Sequence, residues 1–277
     1  MPRNQALNRF SQDLYVSHNQ ILTYLNCSLK YRFHYVEKRK PERISITLPF
    51  GKAMHAAEEL FYRSMKNGRN KEPLEALLEK FGEVLCTSLE KNASTPIVWK
   101  KTTPDKAGAL AMGRSMLTAF HESVDLSGYA VVDVELPLTA RLYTDDGLPT
   151  DFLLVGIIDL LLMDEHNEAV VVDNKTAAQP MAQKTADNDN QMTSYAYLLA
   201  ANKYVFPTSA VKCRFDVLRK LKSPKLEIVH TARTAQDRKR FAKIANAVLA
   251  GIDAGIYMPQ PNWMCSDCGY ADACKAW

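Results

Sequence analysis

Two hydrophobic periods divide the chain. Its first half repeats apolar residues at helical spacing, and its second half alternates or runs continuously apolar, as strands do. After a loose arm at residues 1–16, Ile21, Leu22, Leu25, Leu29, Phe33 and Val36 predict a helix over Ser17–Lys40 with Ser17 as N-cap. Further helices are predicted at Gly51–Met65, Glu72–Asn92 and Asp105–Val124, with a loop at Pro96–Pro104. From Tyr129 the pattern changes. Tyr129–Leu138 reads as a strand carrying Glu135, Leu142–Leu153 as a turn-rich link, and Val155–Thr176 as a hairpin of two buried strands around Asp-Glu-His-Asn-Glu-Ala. A polar loop at 177–188, a helix at Asn190–Tyr204, strands at Val211–Leu218 and Leu226–Thr231 and a long helix at Thr234–Ala254 follow. Residues 258–277 are irregular and cysteine-rich. This order predicts an α/β fold, a mixed central sheet flanked by helices. We expect one domain over 1–277, with a helical insertion at about 66–128.

The hairpin carries the candidate chemistry. Asp159 interrupts its first apolar run, and Asp173 and Lys175 interrupt the second. A buried carboxylate is costly unless something pairs with it, and a metal ion is one such partner. Asp173 and Lys175 are two residues apart and share a strand face. Carboxylates that hold a hard cation beside a lysine are the parts of a phosphodiester-cleaving site. A structural Asp–Lys ion pair is the bland alternative. Gln191 and Tyr195 stand one turn apart on the next helix. His55 lies on Gly51–Met65 with Glu58 and Glu59; a lone histidine there is ordinarily packed or solvated.

Composition narrows the class only a little. With 47% hydrophobic and 24% charged residues over 277 positions, the chain is an ordinary globular protein, neither disordered nor fibrous. The net charge of +4 suits a polyanionic partner without demanding one. Basic and aromatic residues interleave over Lys30–Lys40, and Arg238, Lys239, Arg240 and Lys243 form a second basic side. Either face tracks a phosphate backbone or is simply solvated. No signal-peptide pattern and no apolar run of membrane-spanning length occur, so a cytoplasmic location is expected.

Of six cysteines, Cys265-x-x-Cys268 and Cys274 cluster, Cys27 is the natural fourth, and Cys86 and Cys213 look like core residues. Four thiolates admit zinc or a [4Fe–4S] cluster, and the spacing does not choose. Either would staple the two ends of the chain together.

In this order, Cys27, Gly51-Lys-Ala-Met-His55, Gly156-Ile-Ile-Asp159, Val172-Asp173-Asn-Lys175-Thr176, Gln191-x-x-x-Tyr195, Cys265-x-x-Cys268 and Cys274 resemble the RecB-like nucleases of the PD-(D/E)xK superfamily. More narrowly they resemble its iron–sulfur branch, with the AddB nuclease domain and the four-cysteine CRISPR-associated exonucleases. Ser28 stands where such proteins usually carry proline, and Asp173 where many carry glutamate. No Gly-x-x-x-x-Gly-Lys-[Ser/Thr] phosphate loop occurs, so any helicase motor would be a separate chain.

The resemblance implies a metal-dependent DNA nuclease, more often an exonuclease, in recombination, repair or phage DNA processing. Asp159, Asp173, His55 and the Asn174 carbonyl would hold Mg²⁺ or Mn²⁺. Lys175 would orient the attacking water or take its proton, and Gln191 and Tyr195 would hold the nucleophile or the DNA backbone. Glu135 would bind a second metal, with Asp133 a neighbouring candidate. For Cys27, Cys265, Cys268 and Cys274 the resemblance implies a structural [4Fe–4S] cluster. Two other functions compete: a DNA-end-binding adaptor that retains the fold for assembly with a helicase or recombinase, and an iron–sulfur electron carrier. Neither accounts for a lysine held between carboxylates.

Overall fold

The computed structural model describes residues 14–66, 68, 71–144 and 146–277, so most of the expected N-terminal arm lies outside the described residues. The described chain opens with a short strand, Tyr15–Ser17 (β1). Ser17 then caps His18–Asn26 (α1) in a capping box, its hydroxyl accepting from Gln20 N while Gln20 Oε1 accepts from Ser17 N. The single helix expected over Ser17–Lys40 is broken at Cys27, which is extended at φ −167°. The chain restarts as Ser28–Tyr31 (α2), runs through a π-helical turn at Arg32–Val36 and stops there. The break has a local cause: in the extended conformation the Cys27 sulfur accepts from Lys30 N at 3.4 Å and caps the second helix.

Three longer helices follow: Thr47–Lys66 (α3), Leu74–Lys91 (α4) and Lys106–Ser123 (α5), the last capped by Asp105. Ile44–Ser45 (β2) and Ile97–Val98 (β3) form a small parallel ladder, so the expected loop at Pro96–Pro104 begins as a strand. Tyr129–Tyr143 (β4) and Pro149–Asp164 (β5) are paired antiparallel from Tyr143↔Pro149 to Tyr129↔Asp164. The link expected over Leu142–Leu153 is therefore mostly strand. Leu142 is fully buried, and the reversal is confined to a turn in which Gly147 adopts a left-handed φ of 77°.

Ala169–Ala177 (β6) completes the central hairpin. A short helix, Gln183–Asp187 (α6), interrupts the expected polar loop, and Asn190–Ala201 (α7) follows with Asp189 as its cap. Val211–Arg219 (β7), Leu226–Arg233 (β8), Ala235–Asp253 (α8) and Ala271–Lys275 (α9) complete the order.

Six strands form one mixed sheet in the order β1–β5–β6–β7–β8, with β4 along the other edge of β5. Strands β6 and β7 are parallel, and β7 and β8 antiparallel. Each face carries its own core. On one, Ile21, Tyr195, Leu198 and Phe241 from α1, α7 and α8 pack on Leu161, Val171 and Phe215. On the other, Phe50, Phe61, Phe81 and Phe120 from α3, α4 and α5 pack on Leu160, Val172 and Leu218. The helices of the 66–128 region thus form part of the layer covering one face of the sheet. No helix among the described residues is long and apolar enough to cross a membrane.

One feature of the sheet creates the site. Strands β5 and β6 pair only from Met163↔Ala169 to Leu160↔Val172. Beyond that pair β5 is taken up by β1, at Leu153–Val155. Asp159 and Asp173 are the first residues past the end of the ladder, at the fork.

Candidate active site

The Asp159 carboxylate spans the fork by accepting from Asn174 N at 3.2 Å. His55 reaches it from α3, with Nδ1 3.3 Å from the same oxygen. Glu135 arrives from β4, standing between the pairs Val134↔Leu160 and Leu136↔Ile158, and so opposite Asp159. One ligand atom from each of His55, Glu135 and Asp159 lies within 4.8 Å of the others.

Glu135 is held there by an unusual backbone. Its φ is +52°, left-handed within a strand. Residues two apart on a strand normally face the same side. Here Val134 joins one core and Leu136 the other, and across the ladder Leu160 and Ile158 divide in the same way. The pleat therefore inverts at the Glu135–Asp159 position. Asp133, the neighbouring candidate, turns away to Lys66 at 2.7 Å.

Asp173 does not join that three-residue group. It is fully buried, with its carboxylate 2.6 Å from Lys175 Nζ, as the shared strand face predicted. Lys175 donates to Gln191 Oε1 at 2.7 Å, and Gln191 Nε2 donates to the Tyr195 hydroxyl at 2.8 Å. The two residues one turn apart on α7 thus form a single chain with the lysine.

The electrostatics follow from burial. Burial pushes Asp173 up to about 7, against the pull of Lys175. Burial works to lower Lys175, but the carboxylates of Asp173, Asp159 and Asp189 outweigh it and hold the ammonium above its ordinary value. Tyr195 is driven well above the phenol range, chiefly by burial.

Sequence reading missed a second layer beneath the site. Glu58, one turn after His55 on α3, is buried and pushed up to about 8 by burial and by the charges of Asp159, Asp216 and Asp173. Asp216 is itself paired with Arg214 at 2.7 Å inside β7. The available signals were His55-x-x-Glu58 at helical spacing and Arg214-x-Asp216 at strand spacing.

The cysteines converge at the opposite end of α1. Burial raises the Cys274 thiol, followed by the charges of Cys27, Cys268 and Cys265, so each of those three sulfurs lies within electrostatic reach of Cys274. Two accept backbone N–H groups, Cys27 from Lys30 and Cys265 from Asn262, both at 3.4 Å. That donor set suits thiolates bound to a metal centre. Cys213 is a core residue, its thiol raised to about 12 by burial, and Cys86 is half-buried on α4. Ser28, the departure from proline, accepts from Met258 N at 2.9 Å, and its own N–H donates to Gln260 Oε1 at 3.0 Å. Proline would supply neither.

A mixed sheet covered by helices on both faces, forked at a carboxylate pair with a lysine two residues on, is the architecture of restriction-endonuclease-like nucleases. The sequence profile of the PD-(D/E)XK nuclease superfamily matches residues 15–275, and the chain belongs to that superfamily. A search of curated proteins finds no match. Among solved structures, the chain is similar to a candidate exonuclease from Eubacterium rectale, at 13% identity and a TM-score of 0.57, over 100% of this chain and 92% of that one. At that identity the likeness concerns the fold. The structure of SSO0001 aligns over 92% of this chain and 97% of its own, at 12% identity and a TM-score of 0.35, too low to carry an argument.

Proposed function

We propose that this chain is a Mg²⁺- or Mn²⁺-dependent deoxyribonuclease, acting as an exonuclease on single strands or duplex ends in recombination, repair or phage DNA processing. One observation carries the reading: a His–Glu–Asp ligand group and an Asp–Lys–Gln–Tyr hydrogen-bonded chain meet at one strand fork. His55, Glu135 and Asp159 would hold the metal, with Asp173 and the Asn174 carbonyl as further oxygen donors beside them. A bound divalent cation supplies Lewis-acid polarisation of the phosphate and a more acidic water.

The protein's own groups do the rest. The carboxylates around Lys175 favour its ammonium form, so on this reading its part is that of a donor. Of its three N–H donors, one faces Asp173 and one Gln191. The third is left to orient the attacking water or to meet charge building on the phosphate. Gln191 and Tyr195 fix the ammonium's direction, and the Tyr195 hydroxyl, accepting from Gln191, keeps its proton for a phosphate oxygen.

On the same reading, Cys27, Cys265, Cys268 and Cys274 hold a structural [4Fe–4S] cluster, with zinc as the alternative, in a cytoplasmic protein. A separate helicase or recombinase chain would deliver the DNA end. The test is purification without oxygen, followed by incubation with end-labelled single-stranded and duplex DNA in Mg²⁺, Mn²⁺ or chelator. Lys175→Ala and Asp173→Ala run alongside. Metal-dependent degradation lost in both variants is expected. DNA binding without cleavage in any metal would refute the enzyme and favour an adaptor.

A further inference from the structure

Lys220 lies just beyond β7 and is more than nine-tenths buried, yet no carboxylate among the described residues pairs with it. Every other buried lysine or arginine among the described residues has an ion-pair or hydrogen-bond partner. Arg214 meets Asp216 and Arg219 meets Glu227, each at 2.7 Å. Arg233 and Arg238 donate to backbone carbonyls. The Lys220 ammonium instead sits 4.2 Å from the centroid of the Phe50 ring. Burial alone pushes it down to about 8, with no carboxylate to offset the desolvation. The side chain is largely buried, but its ammonium is not sealed from solvent, so an anion that reaches it offsets the desolvation.

Its position says which anion. Phe50 lies in the first turn of α3, which has no acidic residue, so the positive end of that helix adds to the ammonium. Five residues further along the same helix is His55, about 7.5 Å of helical rise away. On the sheet side, Lys220 N donates to Ala177 O at 2.8 Å, two residues past Lys175 on β6. Lys220 thus stands beside the same two elements that supply His55 and Lys175.

We propose that Lys220, with the first turn of α3, forms a second phosphate subsite, holding a backbone phosphate of the DNA strand one or two linkages from the scissile bond. The inference rests on the nuclease reading and names a positioning residue for it. The Phe50 ring is the floor of the subsite, and it keeps the ammonium forward while leaving its N–H donors for phosphate oxygens.

The test measures binding of end-labelled single-stranded DNA in Ca²⁺ across a salt series, for wild type, Lys220→Met and Lys220→Arg, with single methylphosphonate linkages walked along the strand. Lys220→Met is expected to weaken binding about tenfold, the worth of one charge-assisted contact. It should lower the slope of log affinity against log salt by about 0.7. One methylphosphonate position should weaken the wild type and leave Lys220→Met unaffected. Lys220→Arg should restore the slope, which a role in packing alone would not require. An unchanged slope in Lys220→Met, or equal sensitivity of both proteins at every linkage, overturns the subsite while leaving the nuclease intact. Wild type that neither binds nor cleaves DNA overturns both readings.

Discussion

The left-handed Glu135 gives a test with a sign that ordinary strand behaviour does not share. An alanine at φ +52° bears about 1–2 kcal/mol of left-handed strain, which glycine escapes. At a normal strand position glycine is the worse residue, by about 0.5–1 kcal/mol of chain entropy. The difference leaves Glu135→Gly more stable than Glu135→Ala by about 1 kcal/mol. For a chain of this size that is a melting temperature higher by about 2–4 °C. The comparison is made by thermal unfolding in chelator, and both variants lack the carboxylate, so its charge cancels. If Glu135 is also a metal ligand, both variants lose the stabilisation that Mn²⁺ gives the wild type, about 2.7 kcal/mol at a hundredfold excess over the dissociation constant. Glu135→Ala melting at or above Glu135→Gly would refute the inverted pleat. A full Mn²⁺ shift in both would remove Glu135 from the ligand set.

Two further outcomes follow from the same structure. Glu58 has a folded value near 8 against an ordinary 4.5, so between about pH 5 and 8 the folded protein holds a proton that the unfolded chain has released. Stability of the metal-free protein therefore falls as pH rises through that window, and Glu58→Gln should flatten the fall in urea unfolding; an unchanged slope would refute it. Cys27→Ser, purified without oxygen, should lose bound iron or zinc and expose residues 258–277 to limited proteolysis, whereas wild-type metal content would take Cys27 out of the ligand set.

What was legible in the sequence was what local spacing fixes. Asp173 and Lys175 had to share a face because a strand repeats every two residues, and Gln191 and Tyr195 because a helix returns after four. The central hairpin was legible because its runs are too apolar and too short for an exposed helix. The failures are equally local. Cys27 breaks a continuous apolar stripe, because a capping sulfur competes with helical periodicity. The strands reach through Leu142 and Pro149 because a β-hairpin this long is sustained by pairing, which single-strand propensity does not record. The choice of Glu135 over Asp133 depended on one φ angle that inverts the pleat, and alternation alone pointed to both.

The position of the site follows from the same physics. A continuous ladder between β5 and β6 would satisfy every backbone group and leave no room for an ion. Ending it at Leu160↔Val172 frees the Asn174 N–H to hold Asp159, and opens the gap into which His55 and Glu135 project. The gap brings Asp159 and Asp173 together with Glu58 beneath them, while Lys175 pairs with Asp173 within it. Without a cation, such a cluster retains protons: Asp173 to about 7 and Glu58 to about 8. A divalent ion at His55, Glu135 and Asp159 would supply the positive charge that those protons now supply. Metal binding and proton release are therefore expected to be linked at this fork, with the buried Glu58 setting how strongly metal affinity depends on pH.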